Sequence, residues 1–215
     1  MIVPMHQSLS IIGRGKAGRS LAAAWKDRVS LFSRDERPEG WVILAVPDDA
    51  IQAMAQYFPG RCIHLSGSLN FPDIPCAHPL TSFDGEASDW TGSPLALTGE
   101  VPDWIVQAFE DLGFCPFELD PEKKALYHAA AVISSGHAAT LWLEAARLLQ
   151  DNEVQLPGAG LWPLVEATVK NIRATGSDGR TGPFVRGDQQ TIERDLKSLP
   201  EDWKEMFARL GDFYK

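Results

Sequence analysis

The chain has 215 residues, of which 44% are hydrophobic and 23% are charged, so it can bury a core and still present a mixed polar surface. Its 29 acidic residues outnumber its 20 basic residues and give a formal net charge of −9. Because this charge repels a phosphate backbone and no segment concentrates Lys or Arg, we expect no nucleic-acid partner. The length suits one large domain or two modest ones.

Cysteine usage and apolar tracts indicate the compartment. Cys62, Cys76 and Cys115 lie in separate segments without a CxxC spacing, which argues against disulfides and against a metal site of the zinc type. Residues 1–7 show no secretory signal pattern. The longest apolar tract, residues 126–143, is interrupted by Ser and His and is typical of a buried helix rather than a membrane span. We therefore expect a cytoplasmic protein with no membrane segment.

Short apolar runs alternate with helical spacing over the first 120 residues. The predicted strands are residues 9–12, 29–32, 41–46, 62–65, 76–77, 95–97 and 115–119. Helices are predicted after the first of these strands, after Asp48 or Asp49 as the capping residue, and around residues 105–112. The continuous apolar character of residues 41–46 is typical of a strand covered on both faces. We expect residues 1–120 to form one α/β domain with a mostly parallel sheet.

The strand signals stop at Pro121, and the spacing is helical from there to the end. One long helix is predicted over residues 121–149, and a second carries the apolar positions of residues 161–172. A third helix starts near Asp188, and a fourth covers residues 203–210. The longest segment without an element, residues 174–187, suits either a binding loop or a simple surface link. Residues 121–215 are therefore predicted to form an all-helical domain.

A glycine-rich turn separates the first strand from the first helix. It consists of Gly13, Arg14, Gly15, Lys16, Ala17 and Gly18. Glycines in this arrangement let the backbone approach a pyrophosphate, and the amino terminus of the helix faces its charge. A tight strand-to-helix turn alone could also require these glycines, but the repeated β/α pattern around it favours dinucleotide binding.

Ser33 and Arg34 follow the second predicted strand, where an NAD-binding chain would carry Asp or Glu for the ribose hydroxyls. A hydroxyl and a guanidinium can instead bind a 2′-phosphate through charge-assisted hydrogen bonds. The sequence therefore predicts NADP, with NAD the weaker alternative. Asp35 and Glu36 follow at once, and Arg34 could be an ordinary exposed charge.

Three further residues follow the carboxyl ends of predicted strands. Val46 and Pro47 end the third strand, and Ser66 follows the fourth. Parallel sheets bind ligands at this edge, so we expect these residues beside the cofactor.

Five segments of the chain resemble a known family. They are GRGKAG (13–18), ILAVPDDAI (43–51), HPLTSF (78–83), YHAAAVISSG (127–136) and TGPFVRGD (181–188). Together they resemble the Rossmann-like proteins with a helical domain of unknown function 2520, within the 6-phosphogluconate dehydrogenase and pyrroline-5-carboxylate reductase superfamily. The resemblance implies a nicotinamide-dependent reductase with a Rossmann-like sheet and a helical C-terminal domain that often forms a homodimer.

The chain departs from the family pattern at two places. The link between the second and third strands, residues 33–40, is too short for the usual crossover helix. Gly136 stands where the family usually has Asn, which removes an amide that could orient a substrate.

Catalytic candidates lie on the long helix after Pro121. His128 and Ser135 are seven residues apart and so share one helix face. His128 could donate a proton to a carbonyl or imine because imidazole titrates near neutral pH, or it could be a hydrogen-bonded core histidine.

Substrate contacts are predicted at His78, Asn171 and Arg186. His78 could border the substrate or only stabilise its turn. Asn171 and Arg186 could hold a carboxylate or phosphate, although a surface salt bridge would equally account for Arg186.

Two functions follow from these patterns. The first is an NADP-dependent oxidoreductase that transfers a hydride to or from a small carbonyl or imine substrate between the two domains. The second is a dinucleotide-binding module without turnover that uses its helical half for dimerisation or for contact with a partner.

Overall fold

The computed structural model describes residues 8–214, so the expectation about a signal at residues 1–7 lies outside the described residues. Its strands are β1 Leu9–Ile12, β2 Val29–Phe32, β3 Trp41–Leu44, β4 Cys62–His64, β5 Cys76–Pro79, β6 Pro94–Thr98 and β7 Cys115–Glu118. They form one sheet in the order β2-β1-β3-β4-β5-β6-β7. Neighbouring strands are parallel except β5 and β6, which are antiparallel. The predicted α/β class with a mostly parallel, Rossmann-like sheet is confirmed.

The helices are α1 Lys16–Trp25, α2 Asp48–Ala55, α3 Asp103–Glu110, α4 Lys124–Val132, α5 Ala138–Asp151, α6 Trp162–Thr175, α7 Pro183–Arg186, α8 Gln189–Ser198 and α9 Glu201–Asp212. Every described element after Glu118 is helical, as predicted. No helix within residues 8–214 is long and apolar enough to cross a membrane.

Alternate residues of the central strands pack into two separate clusters. Ile11 of β1 and Ile43 of β3 join one cluster with α1 and α3, whereas Ile12 and Leu44 join the other with α2. Side chains of a strand alternate between its faces, so helices cover the sheet on both sides. This packing explains why residues 41–46 are apolar throughout.

Three details of the predicted elements were wrong. Neither Asp48 nor Asp49 caps α2, because Pro47 occupies the capping position and both aspartates lie in the first turn. The segment 174–187, expected to lack structure, contains the short helix α7 and a 3₁₀ turn at Gly176–Gly179. The long helix over residues 121–149 is interrupted by a π-helical segment, Ile133–His137.

The chain divides into two compact units between Ala138 and Ala139. The first unit contains the sheet, α1–α4 and the π-helical segment, and the second contains α5–α9. Within described residues 139–214, only Gly179, Ile192 and Gly211 are buried. The assignment of residues 1–120 and 121–215 to two functional domains stays a prediction.

Candidate functional site

Close backbone packing requires glycine at two positions of the turn between β1 and α1. Gly13 has φ +121°, and a Cβ added there would strike the carbonyl of Ala45. A Cβ added at Gly18 would strike the carbonyl of Gly13. Gly15 differs, because it precedes α1 with φ −70° and no atom lies within 4 Å of an added Cβ. The open space at Gly15 therefore lies at the amino terminus of a ten-residue helix, where an anion is stabilised.

A cavity of about 790 Å³ adjoins this turn, and we call it the switch-point cavity. It is lined by Gly13, Arg14, Gly15, Ser33, Arg34, Asp35, Arg37, Ala45, Val46, Pro47, Ala50, Ala53, Met54 and Tyr57. Because β1 lies between β2 and β3, the chain order of the sheet reverses here, which is where open parallel sheets bind their ligands. The structure thus brings together the glycine turn, the Ser33–Arg34 pair and the end of β3.

The charged residues of the switch-point cavity are mostly cationic. The lining contains three arginines, Arg14, Arg34 and Arg37, and one acidic residue, Asp35. Arg37 places its guanidinium 3.8 Å from the ring centroid of Tyr57, a cation–π contact that orients it. Three guanidinium groups suit a phosphate better than a ribose hydroxyl. Sequence reasoning missed Arg37 and Tyr57, and the only available signal for Arg37 was its spacing of three residues from Arg34.

Glu36 occupies part of the same loop. Its Oε2 accepts a hydrogen bond of 2.6 Å from the backbone N–H of Ser33 and lies 3.6 Å from Nη2 of Arg14. The hydrogen bonds from Ser33 lower the pKa of Glu36 below its usual value. The Glu36 carboxylate therefore contacts both the Ser33 amide and the Arg14 guanidinium.

Four predicted cofactor residues do not line the switch-point cavity: Lys16, Ala17, Gly18 and Ser66. Lys16 is exposed at the start of α1. Ser66 is buried, and its Oγ accepts a hydrogen bond of 3.0 Å from the backbone N–H of Leu69, so it stabilises the turn after β4. Their roles toward a cofactor stay predictions.

A second cavity, of about 260 Å³, contains three of the predicted reactive side chains, and we call it the histidine pocket. It is lined by His78, Leu80, Thr81, Ser82, His128, Ala131, Val132, Ser134 and Ser135. The rings of His78 and His128 have centroids 6.2 Å apart. Ser135 belongs to the π-helical segment, and its Oγ donates a hydrogen bond of 2.7 Å to the carbonyl of Ala131. Segments of π-helix are frequent at functional sites.

Tyr127 contacts His78, one of the residues that line the histidine pocket, and sequence reasoning missed this contact. Its hydroxyl oxygen lies 2.9 Å from Nδ1 of His78. Burial raises the pKa of Tyr127 to about 12. Burial lowers the pKa of His78 to about 4, and the positive charges of His128 and Lys124 act in the same direction. Both side chains are therefore neutral near pH 7.

Gly67 brings the turn after β4 against both histidines. A Cβ added at Gly67 would lie 2.5 Å from Cδ2 of His128 and 2.7 Å from Nε2 of His78. A side chain at this position would therefore require both rings to shift. The same turn contacts the start of α2, because Ser68 Oγ donates a hydrogen bond of 2.9 Å to Asp48 Oδ2.

Two buried ionisable residues lie among these elements, and the sequence did not single out either. Lys124, at the start of α4, is only 1% exposed, and its Nζ lies 3.4 Å from Oγ1 of Thr98. His64, at the end of β4, is completely buried. Burial also raises the pKa of Cys76, and the positive charge of Lys124 partly offsets this increase. No group of three or more His, Cys, Asp or Glu side chains in residues 8–214 could hold a metal ion.

Asn171 and Arg186 lie in the second unit, on α6 and at the end of α7, and both are exposed. Neither lines the switch-point cavity or the histidine pocket. Asp188 caps α8, since its carboxylate accepts a hydrogen bond of 3.1 Å from the Thr191 N–H. The proposed contacts of Asn171 and Arg186 with substrate stay predictions.

The model of the family described as "Domain of unknown function (DUF2520)" matches residues 94–213, more than half of the chain. The chain belongs to this DUF2520 family. Solved structures share the fold of this DUF2520 protein at low sequence identity. A search of curated proteins finds no significant match to the sequence.

Three of these structures cover almost the whole chain. The Thermotoga maritima protein TM1727 is 21% identical with a TM-score of 0.76, over 96% of both chains. A Bacteroides fragilis protein, provisionally assigned as an NADP oxidoreductase, is 18% identical with a TM-score of 0.75, also over 96% of both chains. An imine reductase from Streptomyces aurantiacus is 17% identical with a TM-score of 0.62, over 97% of this chain and 95% of its own. At these identities the likeness shows that the DUF2520 protein has the same fold.

Proposed function

We propose that this protein is an NADP-dependent oxidoreductase that transfers a hydride between nicotinamide and a small carbonyl or imine substrate. The observation that carries the proposal is the switch-point cavity, where a glycine turn, a helix amino terminus and three arginines meet. The assignment of the Bacteroides fragilis protein to NADP supports the choice of cofactor. The imine reductase with the same fold supports the reaction class.

The residues present fit such a cofactor. The space at Gly15 would admit the diphosphate beside the backbone amides of α1, and Arg34, with Arg14 and Arg37, would bind the 2′-phosphate. Val46 and Pro47 would pack on the cofactor at the end of β3. When bound, NADPH supplies the hydride.

The histidine pocket is the proposed substrate site. His128 would donate the proton that accompanies hydride transfer, and His78 would contact the substrate. Ser135 would hydrogen-bond the substrate from the π-helical segment. Asn171 and Arg186 are proposed to bind an acidic group of the substrate.

Titration with NADPH and NADH tests the cofactor assignment. We expect NADPH to bind at least about tenfold more tightly, because the 2′-phosphate gains charge-assisted hydrogen bonds. Arg34→Ala should weaken NADPH binding about tenfold or more and leave NADH binding nearly unchanged. The matched control is Arg28→Ala, which removes an arginine that forms an exposed ion pair with Asp111. Tighter binding of NADH by the wild type would overturn the NADP assignment.

Gly15→Ala tests the glycine turn separately. The added methyl group meets no protein atom and φ is −70°, so stability should stay within about 0.5 kcal/mol of the wild type. Affinity for NADPH should fall at least about tenfold, because the methyl group would take the space of the diphosphate. Unchanged NADPH affinity in a folded Gly15→Ala protein would show that the diphosphate does not bind at this turn. Turnover of carbonyl and imine substrates by the wild type then separates an enzyme from a silent binding module.

We also propose a homodimer formed through the helical half. α5 and α6 have fourteen residues each, and none of these residues is buried. Large apolar side chains of α6 are exposed, namely Trp162, Leu164, Val169 and Ile172. We propose that these exposed apolar side chains contribute to the interaction surface.

A further inference from the structure

We propose that the histidine pocket binds the oxygen of a ketone or aldehyde, and that Tyr127 holds His78 in the tautomer that donates a hydrogen bond from Nε2 to that oxygen. This inference rests on the proposed oxidoreductase function and narrows its substrate class from carbonyl or imine to carbonyl. Tyr127 is a positioning residue in this scheme, and His78 contacts the substrate.

The inferred position of the proton on His78 follows from its contact with Tyr127, if the tyrosine hydroxyl is the donor. The Tyr127 hydroxyl lies 2.9 Å from Nδ1. The pKa of the tyrosine is raised to about 12, so the hydroxyl keeps its proton near pH 7 and can donate it to the lone pair of Nδ1. The pKa of His78 is lowered to about 4, so the ring is neutral and its single proton then lies on Nε2. Nε2 is the nitrogen beside Gly67, on the side of the ring nearer His128.

The lining of the histidine pocket suits an oxygen that gains negative charge. Its polar side chains are imidazoles and hydroxyls, and within the described chain this lining contains no Asp or Glu. The charges of His128 and Lys124 act on His78 more strongly than the carboxylate of Asp48 does. That carboxylate is also engaged by the hydroxyl of Ser68. An iminium cation would therefore lack a counter-charge here, whereas an alkoxide would meet donors and positive charge.

The reaction balances with the proposed cofactor as reductant. Bound NADPH would supply the hydride to the carbonyl carbon, and the electron pair of the C=O π bond would move to oxygen. His128 would give a proton to that oxygen, so the products would be an alcohol and NADP⁺. The Nε2–H of His78 stays on the ring and stabilises the charge on oxygen as it develops.

Nitrogen NMR of protein labelled with ¹⁵N-histidine tests the tautomer without cofactor or substrate. We expect His78 to be the Nε2–H tautomer at pH 7 in the wild type and a mixture of tautomers in Tyr127→Phe. The phenyl ring keeps the contacts of Tyr127 with Phe117 and His78, whose centroids lie 6.1 and 5.5 Å away. An Nδ1–H tautomer in the wild type, or an unchanged tautomer in the variant, would overturn the positioning role.

Binding of two probes tests the substrate class. Oxamate presents a carbonyl oxygen and a carboxylate, whereas pyrrolidine is a cation at neutral pH. In the presence of NADP⁺, we expect oxamate to shift the His78 resonances and to bind at least about tenfold more tightly than pyrrolidine. Tyr127→Phe should weaken oxamate binding by about two- to fivefold, because only the Nε2–H fraction of the tautomer mixture can donate to the ligand oxygen. Tyr214→Phe is the control, because Tyr214 packs against Phe184 and Arg180 rather than against His78.

The outcomes separate this inference from the proposed function. Tighter binding of pyrrolidine, or no shift of His78 with either probe, would overturn the carbonyl assignment. If NADPH still binds in the same samples, the oxidoreductase proposal survives that result. Failure of NADPH to bind would defeat the oxidoreductase proposal, while the tautomer of His78 would still be measured independently.

Discussion

His64 is buried in the sheet with one of its two ring nitrogens satisfied. Its Nδ1 accepts a hydrogen bond of 3.2 Å from the backbone N–H of Ser66. Its Nε2 has no hydrogen-bond partner within the described chain, and its ring packs edge-on against Phe71. Burial lowers the pKa of His64 to about 3, and the nearby charge of Lys124 acts in the same direction. His64 therefore stays neutral in the folded protein.

This burial predicts a loss of stability on acidification. In the unfolded chain a histidine titrates with a pKa of about 6.5, so the unfolded state takes up a proton before the folded state does. Neutral His64 makes its full contribution to the free energy of unfolding above about pH 6.5. That contribution decreases as the pH falls toward 3. Between pH 7 and pH 5 the contribution of His64 should be a loss of about 2 kcal/mol. Urea unfolding at several pH values measures it.

His64→Asn is the test variant, because the amide oxygen of Asn can accept the Ser66 N–H and does not titrate. Its free energy of unfolding should fall less between pH 7 and pH 5 than that of the wild type. His137→Asn, at an exposed position, serves as the control and should keep the wild-type slope. An equal slope in His64→Asn would show that His64 is not the source.

Residue by residue, the sequence identified functional candidates by local pattern. The glycines, Arg34 and Val46 follow predicted strands, and the structure places them around one cavity. Tyr127 and Lys124 carry no such pattern. Their importance depends on His78 and Thr98, which come from strands 49 and 26 residues away. Only packing of α4 on the sheet brings these partners into contact.

At the scale of elements, the π-helical segment Ile133–His137 joins α4 to α5. The apolar pattern of residues 121–149 predicted one continuous helix, and the helical extent is nearly correct. A wider turn shifts the phase of the helix but leaves no clear mark in an alanine-rich pattern, so periodicity did not reveal it. The segment places Ser134 and Ser135 in the histidine pocket.

Gly136→Ala should stabilise this segment. Gly136 lies within the π-helical segment, and the nearest atom to an added Cβ is Val132 Cγ1 at 3.9 Å, an ordinary contact. Alanine restricts the unfolded chain and favours helix, so we expect a gain of about 0.5 to 1 kcal/mol in urea or thermal unfolding. Gly13→Ala is the opposing control and should destabilise, because its φ is +121° and its Cβ would strike the carbonyl of Ala45. Destabilisation by Gly136→Ala would contradict this account.

The short helix α7 was missed although the sequence contains signals for its start and its end. Pro183–Arg186 has only four residues, with Pro183 at its first position and Gly187 in the left-handed conformation at its end. These start and stop signals are present in the sequence, but four residues give no hydrophobic period. The segment was therefore expected to lack structure.

At the scale of the whole molecule, the two units differ in how much they bury. Both hydrophobic clusters of the sheet lie in the first unit. In residues 139–214 only three described residues are buried, and two of them are glycines. Helices depend on burial of an apolar face for most of their stability, so α5 and α6 require a covering surface.

Leu164→Glu tests whether a second copy provides that cover. Leu164 is 63% exposed in the single chain, so a charge there would cost little in a monomer. In a homodimer formed through α6 it would be buried and unpaired, and light scattering after size exclusion should show a shift from dimer to monomer. Lys170→Glu, on the same helix, is the control for added negative charge and should keep the wild-type mass. A wild-type monomer, or an unchanged mass in Leu164→Glu, would contradict the homodimer.

The sequence by itself determined the order of the elements, the parallel β/α half, the helical half and the position of the glycine turn. These follow from short continuous apolar runs, from the helical period of 3.6 residues and from glycine, which are all local features of the sequence. Only the tertiary structure decided that Arg37 joins Arg34 in one cavity, that Tyr127 contacts His78, and that His64 and Lys124 are buried. Those facts depend on which distant strands and helices pack together. A side chain acquires its partners, its burial and its pKa from that packing, which no short stretch of sequence encodes.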